Sequence, residues 1–167
     1  PALTRGVANG SLALSGCLTS PDGSLELHAT DVGVDVQRIE SIDMAMAATG
    51  GVVRLTQFLI VSGDMNVQAT GDPLYKDGGI RFDVTAQNLD ISRLRPWLGD
   101  RTPDGLMSAE FSVAGPVSSP DVIGSIEVVD PAFAGLAFDR LRASTIEIAD
   151  DKIKLADIIL AVGSHQI

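Results

Sequence analysis

Aromatic residues are scarce in this chain: five Phe, one Tyr and one Trp make up 4% of its 167 residues. A tightly filled β-sandwich normally recruits such side chains, because few others bury as much area. Sites for sugars and bases also need exposed aromatic platforms. The single cysteine, Cys17, has no partner for an internal disulfide and leaves the redox compartment open. It has no neighbouring cation to lower its pKa, so it does not read as a nucleophile. The two histidines, His28 and His165, lack metal-ligand companions at useful spacing and read as solvated or capping side chains. Positive charge is short as well, with 12 Lys and Arg against 22 Asp and Glu and a net charge of -10. That balance argues against nucleic acid and against adhesion to an anionic bilayer surface.

Long hydrophobic runs are missing too. No apolar stretch reaches the roughly 18 residues of a membrane-crossing helix, and the uncharged stretch from Met44 to Val53 is broken by Thr49, Gly50 and Gly51. The chain begins at Pro1 with no basic and apolar leader, and it starts and stops mid-pattern. The expectation is a segment of a longer protein, with no signal peptide of its own. Ser20-Pro21 and Ser118-Ser119-Pro120 read as turn formers without a G-x-S-x-G elbow. Asp31 with Asp35, or Asp150 with Asp151, could bind Ca2+, but no EF-hand loop or nonapeptide repeat accompanies them. The glycines are spread through turns and do not form a phosphate loop. The expectation is no enzyme, no cofactor and no metal.

What the chain does have is aliphatic alternation. Apolar content is 45%, mean hydropathy is positive, and nearly every apolar cluster steps by two, the strand signature. Intervening positions are mostly polar, and Glu26, Asp43, Asp83, Glu127 and Glu147 fall on the wet face of such a sheet, where they guard against edge aggregation. Turn chemistry at Pro21-Asp22-Gly23, Thr49-Gly50-Gly51, Ser62-Gly63-Asp64, Gly71-Asp72-Pro73, Lys76 to Gly79 and Asp150-Asp151 separates the clusters. Roughly a dozen short strands are predicted; at about 4.8 Å spacing they would extend about 58 Å.

One segment is doubled. Gly16 to Leu27 returns as Gly115 to Val128, both reading G-x-x-x-S-P-D, then Gly-Ser, then apolar-Glu-apolar, with two extra residues in the second turn. Ile42 to Met46 aligns with Ser144 to Ile148, and Val53 to Ile60 with Ile153 to Leu160. In each copy the apolar positions step by three, from Leu55 to Phe58 and from Leu155 to Ile158, which predicts a bulge or bend. Self-similarity of this kind marks an array. The predicted organisation is one segment over 1–167, with two imperfect repeats over about 10–71 and 106–167 joined by a linker unit, 72–105. A helical spacing of Ile91, Leu94 and Leu98 predicts one short helix near 90–98, capped by Asp90 or Ser92 and limited by Pro96.

The run from Leu89-Asp90-Ile91-Ser92-Arg93-Leu94 through Pro103 to Gly115, followed by Pro120 to Val128 and Asp151 to Leu155, resembles the repeat unit of TamB-like and AsmA-like envelope proteins. That resemblance implies a long periplasmic β-structure, U-shaped in section, with a hydrophobic groove that carries phospholipid between inner and outer membranes. It implies an inner-membrane anchor in the full-length protein, a role in outer-membrane biogenesis and, for TamB-like members, an Omp85-class barrel partner. The expected fold is all-β: a repeat-built, curled antiparallel or mixed sheet forming an open taco-like or half-barrel groove with an aliphatic interior. Its expected lining is Leu12, Leu14, Leu25, Leu27, Met44, Met46, Leu55, Ile60, Met65, Val67, Ile80, Phe82, Phe111, Val113, Ile126, Val128, Ile146, Ile148, Leu155, Ile158 and Leu160. Mobile Met side chains suit a surface that adapts to variable apolar guests. The expected ligand is a phospholipid or other acyl-chain lipid, and the segment could self-associate through its groove or sheet edges. The alternative is a structural, adhesin-like or carbohydrate-binding β repeat with a filled core; for sugar, only Tyr75 and Trp97 offer a platform beyond Phe.

Overall fold

A computed structural model describes residues 3–17, 20–34, 37–50, 52–75, 79–94, 104–133, 136–149 and 152–162. The alternating clusters form strands β1 (Leu3–Cys17), β2 (Ser20–Val34), β3 (Gln37–Thr49), β4 (Val52–Ser62), β5 (Met65–Tyr75) and β6 (Gly79–Asp90). There follow β7 (Asp104–Pro116), β8 (Asp121–Phe133), the two-residue β9 (Leu136–Ala137), β10 (Arg140–Ala149) and β11 (Lys152–Ala161). They build one sheet in the order β1-β2-β3-β4-β5-β6-β7-β8-β10-β11, with β9 hydrogen-bonded to β8 off this path. Every pairing is antiparallel, so the connections are hairpins and the sheet is a meander that does not close into a barrel.

The strands are fewer and longer than predicted. The ten along the main path run 10 to 15 residues each. At the usual strand spacing they extend about 43 Å along the ladder. Strands of that length do not stay flat. Bulges bend them, and the bulges are marked by residues in the left-handed region: Asp31 (φ 53), Asn88 (φ 52), Asp130 (φ 51) and Asp157 (φ 53). Asx side chains tolerate this conformation better than other residues with a Cβ. Around each one the apolar face advances by three residues, as from Ala29 to Val32 and from Ala86 to Leu89. The predicted irregularity between Leu55 and Phe58 is present as a register shift in β4. The one between Leu155 and Ile158 coincides with Asp157 and faces a shift in β10.

The pairing register recurs along the chain. Leu12 faces Leu25 and Ala8 faces Ala29; 99 residues later Phe111 faces Gly124 and Met107 faces Val128. Asp31 and Asp130 share this offset. The two extra residues read into the second turn therefore have no counterpart in the ladder, where Leu25 corresponds to Gly124 and Leu27 to Ile126. Likewise Met44 corresponds to Ala143, not to Ile146, because each pairs with the equivalent residue of the preceding strand. The slip arises from the alternation itself: moving a strand by two residues leaves every side chain on its original face.

Of the helix expected near 90–98, the described part is a single 3-10 turn, Ile91–Leu94. Asp90 caps it, accepting from the Ser92 backbone N–H at 3.0 Å and from the Ser92 hydroxyl at 2.6 Å. Ile91 is buried beneath it. Pro96, Trp97, Leu98 and the rest of that call lie outside the described residues, as do Lys76 to Gly78, Asp150, Asp151 and His165.

Candidate functional site: an apolar sheet face

Residues directly opposite one another in an antiparallel pair project from the same face. Following those pairs across the sheet gives three unbroken rows. The first runs Leu12, Leu25, Met46, Leu55, Gly71, Phe82, Val113, Val122, Ile148, Ile153. The second runs Gly10, Leu27, Met44, Phe58, Ala69, Val84, Phe111, Gly124, Ile146, Leu155. The third runs Ala8, Ala29, Ile42, Ile60, Val67, Ala86, Ala109, Ile126, Ala143, Ile158. No member of any row carries a polar side chain.

The remaining expected lining residues join the same face beside these rows. Leu14 pairs Gly23, Met65 pairs Ser62, and Ile80 pairs Gly115. Val128 continues through Leu141 to Leu160. Sequence reasoning missed Ile42, Phe58, Val84, Val122, Met107 and Leu141, which lie in phase with the residues it did select. It also missed the glycines and alanines of the rows. Their signal was present as in-phase small residues, which alternation by hydrophobicity passes over.

Two of those glycines are held by close approach. A Cβ on Gly124 would stand 2.2 Å from the Glu110 carbonyl oxygen and 2.3 Å from Phe111 Cδ1. At Gly71, where φ is 152, it would stand 2.1 Å from the Arg81 carbonyl oxygen. Each faces a phenylalanine across the strand pair, Gly124 facing Phe111 and Gly71 facing Phe82. The ring thus covers area that a glycine leaves bare. Along β6 and β7 the surface borders an open hollow of about 470 Å3 whose wall includes Ile80, Phe82, Val113 and Gly115.

No second layer covers this face among the described residues. Among the described residues each strand packs on its ladder neighbours, with the 3-10 turn against β7 and β9 against β8. Among the described residues the buried aliphatic ones are Ala29, Val32, Ile91, Ala109, Val128, Ala143 and Ile146, and no large side chain is fully buried. Accessible surface is 11213 Å2, against about 7,800 Å2 expected of a closed globule of this mass. Most row members are half-buried. Leu12, Leu14, Leu155, Ile158 and Leu160, on the two edge strands, are exposed.

The opposite face is polar, and several of its charges are paired. His28 Nδ1 meets the Asp43 carboxylate across β2 and β3. Ser112 donates to Asp83 at 2.6 Å, and Lys154 donates to Glu147 at 2.9 Å. Arg140 lies 3.2 Å from Glu127. Arg54 donates to Asp72 at 2.9 Å, and that hydrogen bond, followed by the attraction of the carboxylate, raises the guanidinium above its ordinary pKa. Asp31 Oδ1 is shielded from solvent between Arg38 (2.7 Å) and Arg5 (3.4 Å), facing both charges without an aligned hydrogen bond. Asp31 is thus committed to two cations, and Asp35 lies outside the described residues. Among the described residues no group of three or more His, Cys, Asp and Glu is arranged to hold a metal ion. No helix among them is long and apolar enough to cross a membrane.

Fold and face together define an open, single-layer antiparallel sheet with one aliphatic surface. No family model matches the chain, and no curated protein or solved structure matches it either.

Proposed function

We propose that this chain is a segment of a periplasmic, cell-envelope protein that shields acyl chains on its apolar face. In that role it serves phospholipid transport between inner and outer membranes and outer-membrane biogenesis, within a TamB-like or AsmA-like protein anchored in the inner membrane. The observation that carries the reading is the set of three uninterrupted apolar rows crossing ten strands, with no second layer over them among the described residues. Bulges that bend long strands support a curled, groove-like section for the sheet. The recurring register supports two copies of one strand unit, over about 10–71 and 106–167, joined by the linker unit 72–105 that contains β6.

The physics suits a conduit. Apolar contact is worth about 25 cal/mol per Å2 buried and makes no directional demand. An acyl chain can therefore move along such rows without breaking hydrogen bonds. Backbone polar groups along the path are already satisfied by the strand ladder. A filled-core spacer would instead bury large side chains completely, and the exposed surface favours the open form. Partners in this reading are a phospholipid and, for the whole protein, an Omp85-class barrel.

The test is photocrosslinking in cells from Met46 and Ile148, with Glu26 on the polar face as the control. Lipid adducts are expected from the first two positions and not from Glu26. Equal labelling at all three positions would overturn the reading.

A further inference from the structure

β11 ends the ladder, yet its counterpart in the first repeat lies inside it. Phe58 and Ile60 of β4 pair Met44 and Ile42, and Ile158 and Leu160 of β11 pair the equivalent residues Ala143 and Leu141. On its other side β4 carries β5, which sets Gly71 opposite Leu55, Ala69 opposite Phe58 and Val67 opposite Ile60. Beside β5 those three β4 residues are half-buried. Their counterparts Leu155, Ile158 and Leu160, with no strand beyond them, are 49%, 56% and 47% exposed. The missing neighbour explains that exposure, and the first repeat shows what fills the place. It is an antiparallel strand that sets small residues against large ones.

β1 matches that description. Its own free edge corresponds to the edge of β7 that β6 covers, since Leu12 and Phe111 hold equivalent positions. Ala8-Asn9-Gly10 repeats the Ala-x-Gly step of Ala69-Thr70-Gly71, and in both strands the Ala and the Gly lie in the apolar rows. The other Ala-x-Gly steps, at Ala48 and Ala161, fall where β3 and β11 end. Direction agrees as well. Ten strands in an all-antiparallel path leave β1 and β11 running in opposite senses. A second copy moved along the ladder by translation alone therefore presents β1 to β11 antiparallel, with its apolar face on the same side. Gly10 and Ala8 then stand opposite Leu155 and Ile158, as Gly71 and Ala69 stand opposite Leu55 and Phe58. In that register each apolar row meets its own continuation. From Gly6 to Cys17 β1 carries no charge, so no like-charge pair opposes the contact.

The geometry points to a head-to-tail contact between copies of this chain, in which the free edge of β11 in one copy takes β1 of the next. The open backbone groups of both edges pair across it. Because the two edges differ, the contact is heterologous and each dimer keeps one free β1 and one free β11. A β11–β11 contact would instead set large side chains against large ones and bring two Asp157 bulges onto one ladder. The head-to-tail contact is made by ladder edges, so it stands independently of what the apolar rows carry.

The experiment uses the whole chain, purified and lipid-free, in sedimentation velocity. Leu12→Lys charges the β1 edge and Ile158→Lys the β11 edge. Each variant alone is expected to stay monomeric at a concentration where the unmodified chain associates. Their equal mixture is expected to form dimers and go no further, since each supplies the edge that the other lacks. Recovery on mixing also shows that both variants are folded. Dimers of Leu12→Lys alone would mean that β11 meets β11, and dimers of Ile158→Lys alone that β1 meets β1; either result overturns the proposal. Disulfide trapping reads the same contact without added charge. In a Cys17→Ser background, oxidising Ala8→Cys and Ile158→Cys chains together is expected to give the mixed dimer. Asn9→Cys, on the polar face, is expected to give none with Ile158→Cys. Equal trapping from Asn9→Cys would refute the contact. So would an intrachain disulfide in the Ala8→Cys/Ile158→Cys chain at a dilution without dimers, because the sheet would then close on itself.

Discussion

Gly124 shows how little room this sheet leaves at the level of single residues. Its missing Cβ is the space that the Glu110 carbonyl and the Phe111 ring occupy. Substituting Gly124→Ala forces the neighbouring backbone to shift, so a loss of about 1–3 kcal/mol is expected in denaturant titration. Gly63, at φ 60 with open space around it, is the comparison: Gly63→Ala costs about 1–2 kcal/mol, from left-handed strain alone. A Gly124→Ala variant that also relaxes when Phe111 is trimmed to Leu would place the clash on the ring and not on the carbonyl. Depth on the apolar face matters in the same way. Ile146 is 6% exposed and Leu155, its partner across the ladder, is 49% exposed. Ile146→Ala should therefore cost about 2–4 kcal/mol and Leu155→Ala less than about 1 kcal/mol; equal losses would mean that the outer strand is covered in solution.

Elements add a constraint that residues do not have: a strand has two sides, and someone must occupy each. β1 and β11 each present one unpaired edge together with large exposed apolar side chains, among them Val7, Leu12, Leu14, Ile158 and Ile159. Lys154 and Asp157 are the only charges described on β11 beyond its first residue. Long, weakly charged edges pair with other chains. The expected behaviour is concentration-dependent self-association in sedimentation velocity, reduced by Ile158→Lys. Unchanged association in that variant would move the contact to another surface. Inside the sheet the bulges are the corresponding local decision. The step from Leu55 to Phe58 was legible because both residues are large and apolar, so the broken alternation showed. The steps around Asp31, Asn88 and Asp130 were not legible, since one of the flanking in-phase residues in each is an alanine or proline, or a polar residue seemed to continue the pattern. The 3-10 turn was legible in part, and it is tied to the sheet through Arg93, which donates to the buried Ser62 hydroxyl at 3.2 Å.

For the molecule as a whole, surface is the quantity that distinguishes an open sheet from a filled domain. With 11213 Å2 accessible when folded, the chain buries about one-fifth less area on folding than a closed globule of its size. The denaturant m-value scales with that area, so it should fall about one-fifth below the value usual for this length. An m-value at the globular norm would mean that the apolar face is covered in solution. Binding of a hydrophobic dye to the folded state, without loss of secondary structure, is the companion expectation.

The alternation by itself determined that the chain is all-β, which side chains share a face, and that this face is aliphatic. Those are local consequences of a two-residue period, and they need no partner strand to be read. It could not determine register, because a slip of two residues preserves the face; the 99-residue correspondence emerged only once strands were paired. Nor could it determine whether the apolar face is covered. The doubled Ser-Pro-Asp turn pointed to recurrence, but closure and layering depend on contacts between residues far apart in the chain. Only the tertiary structure decided that the sheet stays a single open layer, because nothing in a strand's own sequence specifies what lies above it.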